Sequence, residues 1–556
     1  MLNNPMIDHS SPFPPFLKQA DKPRFVVAEI TFRSALKFLD RWMHFERTST
    51  PDQHLHYYAI EKNPLSIEEI QKQIGQQSSE FCRRLEKLAA LYPMRIEGWH
   101  TLRLSPQVTF TLAFGDVIRE LPQLQTPVDE WILNDTEPSE ILFQNIKRLS
   151  QSGTYVSSIV ATDAIQNGLR ETGFTIHTDK GTTTGILTQG PTPFMLKKSR
   201  PEKVAVIGGG IAGASIAYTL STRGCDITLF EKNGLASGGS GNDRGLCNPR
   251  LSAGKGPEAD FYSPAFNLAH RLFAELSQTD DIGFKACGSL HMIFDDNKDK
   301  RYHGFKKNWG WHDDHARIIS AAESSDTAGV KILQPSLYLA GAGMVSPKKA
   351  TFRMAASAKI VMRDVSRIEE DGSAWRIDGE DFDCVILAGS FDVLKFPYTC
   401  MLPIEKVRGQ VTSIRTTPVY NQLQTNLCYG GYASVAEQGT AILGSTFQTW
   451  IDDPALRPED DLDNIDKLKA VAPHIAEGLS VTGGRASFRS AAKDRAPVIG
   501  PIHGVENLYI STAHGSHGIL SSIIGAEYLI SKIMGDAQIL PRSVERFLSP
   551  SRFKLH

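Results

Sequence analysis

Apolar positions in the first third of the chain switch between two spacings. Phe25–Glu29 is a short apolar run that predicts a strand. Ser34–Arg47 places Leu36, Phe38, Leu39 and Trp42 at helical spacing and predicts a helix buried through those four. Leu55–Ile60 reads as a strand and Ser66–Leu91 as a helical region. Val108–Phe114, Val128–Leu133 and Tyr155–Val160 read as further strands. Repeated alternation of this kind predicts an α/β domain, a mostly parallel sheet covered by helices. The polar, Gly/Thr/Pro-bearing passage Gly181–Pro201 has no period and reads as a linker. The expected division is a first domain over 1–190, a linker over 191–202 and a second, larger domain over 203–556.

The second domain opens on Val204–Ser215, V-A-V-I-G-G-G-I-A-G-A-S. Gly208, Gly210 and Gly213 have G-x-G-x-x-G spacing between a strand and a helix-compatible run, Ala214–Arg223. The first glycine permits a tight turn. The second admits a pyrophosphate against the backbone, and the third lets helix pack on strand. A second strand, Asp226–Phe230, ends in Glu231, 23 positions after Gly208, where an acid can accept from an adenosine ribose. Two later fragments, Asp383–Gly389 and Asn507–Gly518, again run from strand into a glycine-bearing turn. They predict a nucleotide domain interrupted by long insertions.

Composition narrows the class. The 556 residues carry 60 Lys+Arg against 62 Asp+Glu, a net charge of −2, which argues against binding nucleic acid by bulk charge and leaves a local basic face open. No run of about 18 uncharged apolar residues occurs, so no membrane span is expected. The seven cysteines form no C-x-x-C pair, so no metal site and no disulfide framework are expected. The first residues show no basic segment leading into an apolar stretch, and a cytoplasmic location is expected.

An interrupted nucleotide domain closing on a glycine-rich loop and helix resembles the FAD-dependent amine oxidases of the D-amino-acid oxidase and glycine oxidase type. That resemblance implies an FAD-binding Rossmann domain interleaved with an antiparallel-sheet substrate domain. Gly234–Gly245, Cys287–Leu290, Arg408–Val411 and Arg485–Gly500 sharpen it. Together they resemble the oxidase half of the MnmC family, which joins an N-terminal methyltransferase to a C-terminal FAD oxidoreductase and finishes a wobble-uridine modification of some tRNAs. The resemblance implies that Gly208, Gly210, Gly213, Glu231, Lys232, Ser240, Asn242, Gly389, Gly515, Ser516 and Gly518 bind FAD. Arg489, in a stretch resembling R-x-x-x-x-D-x-x-P-x-x-G, is expected to hold the substrate carboxylate, because a planar guanidinium pairs bidentately with one. The competing reading pairs Arg489 with Asp494. Arg485 and Arg408 are second candidates. His517 stands where the family pattern has Arg, and it is taken as a catalytic position that tunes the flavin or touches tRNA; the alternative is a solvated loop histidine.

The N-terminal half resembles the family's S-adenosylmethionine domain with its decisive turn altered. Glu61–Leu65 resembles E-K-x-P-L, and Phe114–Asp116 resembles F-G-D. The pattern E-x-G-F-G-T-G is replaced by Glu29–Ala35, with Thr31, Arg33 and Ala35 where glycines are expected, and L-D-G-F-A-P becomes Leu133–Pro138 with Asn134 for the acid. Side chains at this turn disfavour a positive φ and a close cofactor. S-adenosylmethionine is therefore not expected to bind. The resemblance implies FAD-dependent oxidation of 5-carboxymethylaminomethyl-(2-thio)uridine at the tRNA wobble position to 5-aminomethyluridine. It implies tRNA as partner, no obligate protein partner and methyl transfer lost. A fully bifunctional enzyme, a free glycine or amino-acid oxidase, and a non-catalytic tRNA-binding protein are the other readings.

Overall fold

The computed structural model describes residues 22–74, 78–191, 200–372 and 374–553. The chain divides into two compact units: Met1–Lys198 with Gly535–Arg542, and Ser199–Met534 with Ser543–His556. Residues 535–542, assigned from sequence to the second domain, belong instead to the first unit, where Ala537 is part of the apolar core and the Gln538 backbone N–H donates to Thr126 Oγ1 at 2.9 Å. The A-Q-I-L stretch there has no period of its own to announce this.

The first unit is an eight-stranded sheet in the order Gly98–Ser105, Val108–Phe114, His54–Glu61, Arg24–Ile30, Val128–Leu133, Ser150–Ser158, Thr182–Leu187, Phe174–Asp179. The five central strands are parallel, and each edge closes antiparallel. Part of the expected linker is thus strand. Thr182–Leu187 pairs with Phe174–Asp179 and Ser150–Ser158, because its β-branched threonines and alternating burial suit a half-covered edge. Of that passage, 192–199 lies outside the described residues. The helix Leu36–Thr48 buries Phe38, Leu39, Trp42 and Phe45. Leu36, expected in that set, is 38% exposed. At about 100° per residue it falls on the far side of the stripe the other four define. Phe38 stacks on Phe110 with ring centroids 4.0 Å apart, tying helix to sheet.

The second unit holds two large sheets. One orders Lys359–Met362, Asp226–Glu231, Lys203–Ile207, Cys384–Leu387, Leu508–Thr512 and Val498–Pro501, parallel except for the last pair. Cys384–Leu387, read from sequence as a late strand, lies directly beside Lys203–Ile207. The strand order reverses there, and ligands of open α/β sheets bind outside the carboxyl ends of strands at such a point. The other sheet has eight strands and is mostly antiparallel, with one parallel pair, Ser289–Met292 beside Asn426–Cys428. Its edge is the long pair Ile404–Arg415 and Ser480–Ala492. Among the described residues, no helix is long and apolar enough to cross a membrane.

Candidate active site

A cavity of about 720 Å³ in the second unit runs from the first sheet to the second. One end is the glycine turn. Gly208 has φ 121°, and a Cβ there would lie 2.5 Å from the Ala388 carbonyl oxygen. A Cβ on Gly213 would lie 1.9 Å from the Gly208 carbonyl oxygen, so Gly213 sits at the strand–helix contact and does not line the cavity. Gly210 caps the helix Ile211–Ser221, and its missing side chain would meet only Ser240 Oγ, at 3.2 Å. Ser240 Oγ accepts from the Ile211 N–H at 2.9 Å. The helix N-terminus thus opens onto the cavity with donors suited to phosphate. Glu231 accepts from the Gly209 and Asn233 N–H groups at 2.7 and 2.8 Å. Lys232 pairs with Asp392 at 2.5 Å, and both line the same end with Gly389. An acid at the strand end, a bare turn and an open helix terminus form a cradle that fits the adenosine and pyrophosphate of a dinucleotide.

The far end is built by the strand Ser480–Ala492. Arg489 pairs across to Val407, while Arg408 pairs with Phe488, so the two arginines leave opposite faces of the sheet. Arg489 lines the cavity. Its Nη2 donates to Ser445 Oγ at 2.8 Å and its Nη1 to the Thr446 carbonyl at 3.3 Å. A Cβ on Gly409 would lie 2.3 Å from the guanidinium, so Gly409 is what makes room for it. Burial lowers the Arg489 pKa, and the Tyr432 hydroxyl opposes this. Asp494, the alternative partner, pairs with Arg552 at 2.7 Å instead. No carboxylate forms an ion pair with Arg489 among the described residues. A half-buried cation with neutral partners at a cavity wall is chemically suited to pairing with an anion.

The two second candidates are committed elsewhere. Arg408 is fully buried, forms an ion pair with Asp460 at 2.5 Å, and donates to the Asp453 and Ala455 carbonyls. Arg485 donates to the Ser237 carbonyl at 2.8 Å and to Asn242 Oδ1 at 3.3 Å, fixing the Gly/Ser loop against the cavity. That loop is held in place rather than free at the surface. Gly515, Ser516, His517 and Gly518 lead into the helix Gly518–Ile533 and line the cavity with Ser240 and Asn242. His517 is not a solvated loop residue. Its ring packs edge-on against Tyr262 at 5.6 Å, its Nδ1 lies 3.4 Å from the Asn248 carbonyl, and burial pushes its pKa down to about 4. It is a neutral imidazole at pH 7.

Sequence reasoning missed several lining groups. Asn248 donates to Cys428 Sγ at 3.3 Å and accepts from Ser289 Oγ at 3.1 Å, and Ser289 Oγ contacts His291 at 3.3 Å. Burial pushes His291 down to about 3, so it too is neutral. Ser445 and Tyr432 complete the wall. Only Gly409, beside Arg408 in R-G-Q-V, carried a local signal.

The family described as "FAD dependent oxidoreductase" matches residues 203–531, more than half of the chain. The chain belongs to the FAD dependent oxidoreductase family. FAD is its cofactor. The family described as "S-adenosyl-L-methionine-dependent methyltransferase" matches residues 79–185, so the two matches follow the order expected from the sequence. The protein named tRNA 5-methylaminomethyl-2-thiouridine biosynthesis bifunctional protein MnmC of Chromohalobacter salexigens is 29% identical over 594 residues, covering 95% of this chain and 84% of the relative. The protein of the same name from Stutzerimonas stutzeri is 28% identical, covering 97% and 92%. The MnmC resemblance read from the motifs therefore extends along nearly the whole chain. Among solved structures, glycine oxidase from Geobacillus kaustophilus superposes with a TM-score of 0.55 at 21% identity, over 64% of this chain and 99% of that one. Iminodiacetate oxidase from Chelativorans sp. BNC1 gives 0.53 at 18%, over 63% and 99%. These two show that the second unit has the oxidase fold.

Proposed function

We propose that the protein modifies the tRNA wobble uridine in the cytoplasm, oxidising 5-carboxymethylaminomethyl-(2-thio)uridine to 5-aminomethyluridine, and that it does not transfer a methyl group. The observation that carries the oxidase reading is Arg489: a half-buried guanidinium at the cavity wall, held by neutral partners and, among the described residues, without an acid. Such a group suits the carboxylate of the carboxymethyl substituent and fixes the adjacent carbon in place. The chemistry that bound FAD would supply there is acceptance of a hydride from that carbon. The carbon–nitrogen bond left as an imine takes up water and breaks, the amine staying on the uridine and glyoxylate leaving. The helix Gly518–Ile533 directs its N-terminal N–H groups toward the cavity, where they stabilise negative charge. His517 and His291 offer neutral hydrogen-bonding edges rather than charge.

The loss of methyl transfer rests on the first unit's own turn. Thr31 holds φ 66°, so the left-handed turn persists, now with a side chain on it. Glu29 is buried and accepts from Tyr57 Oη at 2.7 Å and from Asn134 Nδ2 at 2.6 Å. Asn134 Oδ1 in turn accepts from Lys37 at 2.5 Å. Asn134 thus closes a network of the protein's own groups. Arg33 and Asp135 pair at 3.1 Å, both about two-thirds exposed, which turns Asp135 to solvent.

The test is anaerobic mixing of the purified protein with tRNA from cells lacking this activity. Loss of the oxidised-flavin absorbance is expected. No loss would contradict the reading, and equal loss with free glycine would favour an amino-acid oxidase.

A further inference from the structure

Six of the seven tryptophans are at most 2% exposed, and Trp450 is 76% exposed. Trp450 stands on a segment whose two ends, Ser445 and Pro454, both line the oxidase cavity. Phe447, on the same segment, is 51% exposed with the Arg495 guanidinium 5.3 Å over its ring. The segment is not a loose loop. The Arg408 backbone pairs with Gln448, and its side chain donates to Gln448 Oε1, the Asp453 carbonyl and the Ala455 carbonyl at 2.6–2.7 Å. Arg408 thus pins both sides of this segment, its other donors going to Asp460 and Gln410, while two aromatic rings of the segment stay in water. Folding alone gains nothing from that placement.

We infer that Phe447 and Trp450 form a stacking platform for unpaired nucleobases next to the uridine that enters the cavity, an inference that rests on the tRNA reading above. A base can reach a buried site only when splayed out of its strand, and its exposed neighbours then stack on aromatic side chains. The charges favour base faces over phosphates. Asp452 and Asp453 are exposed beside Trp450, and the Lys406 ammonium is taken by Asp452 at 3.2 Å. Asp452 is offset by Lys406, and Arg495 by Glu405, so the apex offers the neutral faces of bases an apolar surface rather than a cationic site for phosphate.

Trp450 supplies its own readout, because it is the tryptophan that acrylamide reaches. With the flavin-loaded full-length protein and a synthetic anticodon stem-loop RNA, saturating RNA should lower acrylamide quenching to the level of the W450F variant, whose remaining tryptophans are buried. Trp450→Ala should raise KM for tRNA on the order of tenfold while kcat and flavin content hold. Trp450→Phe should keep most of the affinity, and turnover of the free nucleoside should not change in either variant. Quenching unaffected by RNA, or an unchanged KM in W450A, would overturn the platform. Protection that grows with protein concentration in the absence of RNA would place a second copy on this surface and overturn it as well. Should the wild type turn over no carboxymethylaminomethyl tRNA, the functional reading fails, and quenching by RNA still decides the platform separately.

Discussion

Replacing Arg489 by methionine separates a receptor cation from a structural one. The half-buried guanidinium donates to Ser445 Oγ and the Thr446 carbonyl, and its charge has no acidic partner among the described residues. A charge-assisted bond is worth about 1.5–3 kcal/mol, and a bidentate grip on a carboxylate supplies two, so at least about 3 kcal/mol of binding in the transition state is at stake. At 1.36 kcal/mol per decade this is at least about 150-fold in kcat/KM. Arg489→Lys should recover only part, since an ammonium lacks the fork. Stability should move the other way. A partly desolvated charge without an acid is costly, and methionine fills similar volume, so R489M should unfold no earlier than the wild type in the absence of substrate. Steady-state kinetics on carboxymethylaminomethyl tRNA and calorimetric unfolding provide both numbers. A variant within threefold of wild-type kcat/KM, or one that loses stability in step with activity, would refute the assignment.

Gly213→Ala should give protein without flavin or without solubility, because its Cβ would sit 1.9 Å from the Gly208 carbonyl. Gly210→Ala should fold and lose flavin occupancy, since its Cβ meets only Ser240 Oγ at 3.2 Å; the visible spectrum of the purified protein reads both. Burial raises the Glu29 carboxyl from 4.5 to about 7, against hydrogen bonds from Tyr57 and Asn134. The folded state then binds the proton more tightly, so this group's contribution is full below about 4.5 and is lost as pH rises through about 7. That change is worth about 3 kcal/mol, and the stability difference between Glu29→Gln and wild type should shift with pH across this window in calorimetric unfolding. S-adenosylmethionine titrated into the full-length protein should give no binding heat, and micromolar binding would restore the bifunctional reading.

Strand and helix positions in the first unit were legible because Phe25–Glu29, Leu55–Ile60 and Val108–Phe114 carry unbroken apolar runs. Leu36 misled because apolar identity alone does not fix a helix face. Thr182–Leu187 read as a linker because threonines are polar in composition and strand-forming in shape. The glycine turn and the acid after it were legible because Gly208, Gly210, Gly213 and Glu231 are local in sequence and each answers one steric or polar demand. The far wall of the cavity was legible only through Arg489. Arg408 and Arg485 differ from it not in type but in strand register and in which loop carbonyls lie within reach. Asn248, His291, Cys428 and Ser445 join the wall through long insertions, and nothing near them in sequence announces it.

The central claim is one oxidation on tRNA and no methylation. Its most direct test is mass spectrometry of nucleosides from carboxymethylaminomethyl tRNA incubated with the purified, flavin-loaded protein and S-adenosylmethionine. 5-Aminomethyl-(2-thio)uridine should accumulate with equimolar glyoxylate, and no methylaminomethyl nucleoside should appear. An unchanged carboxymethylaminomethyl nucleoside, or its conversion through to the methylated product, would contradict it.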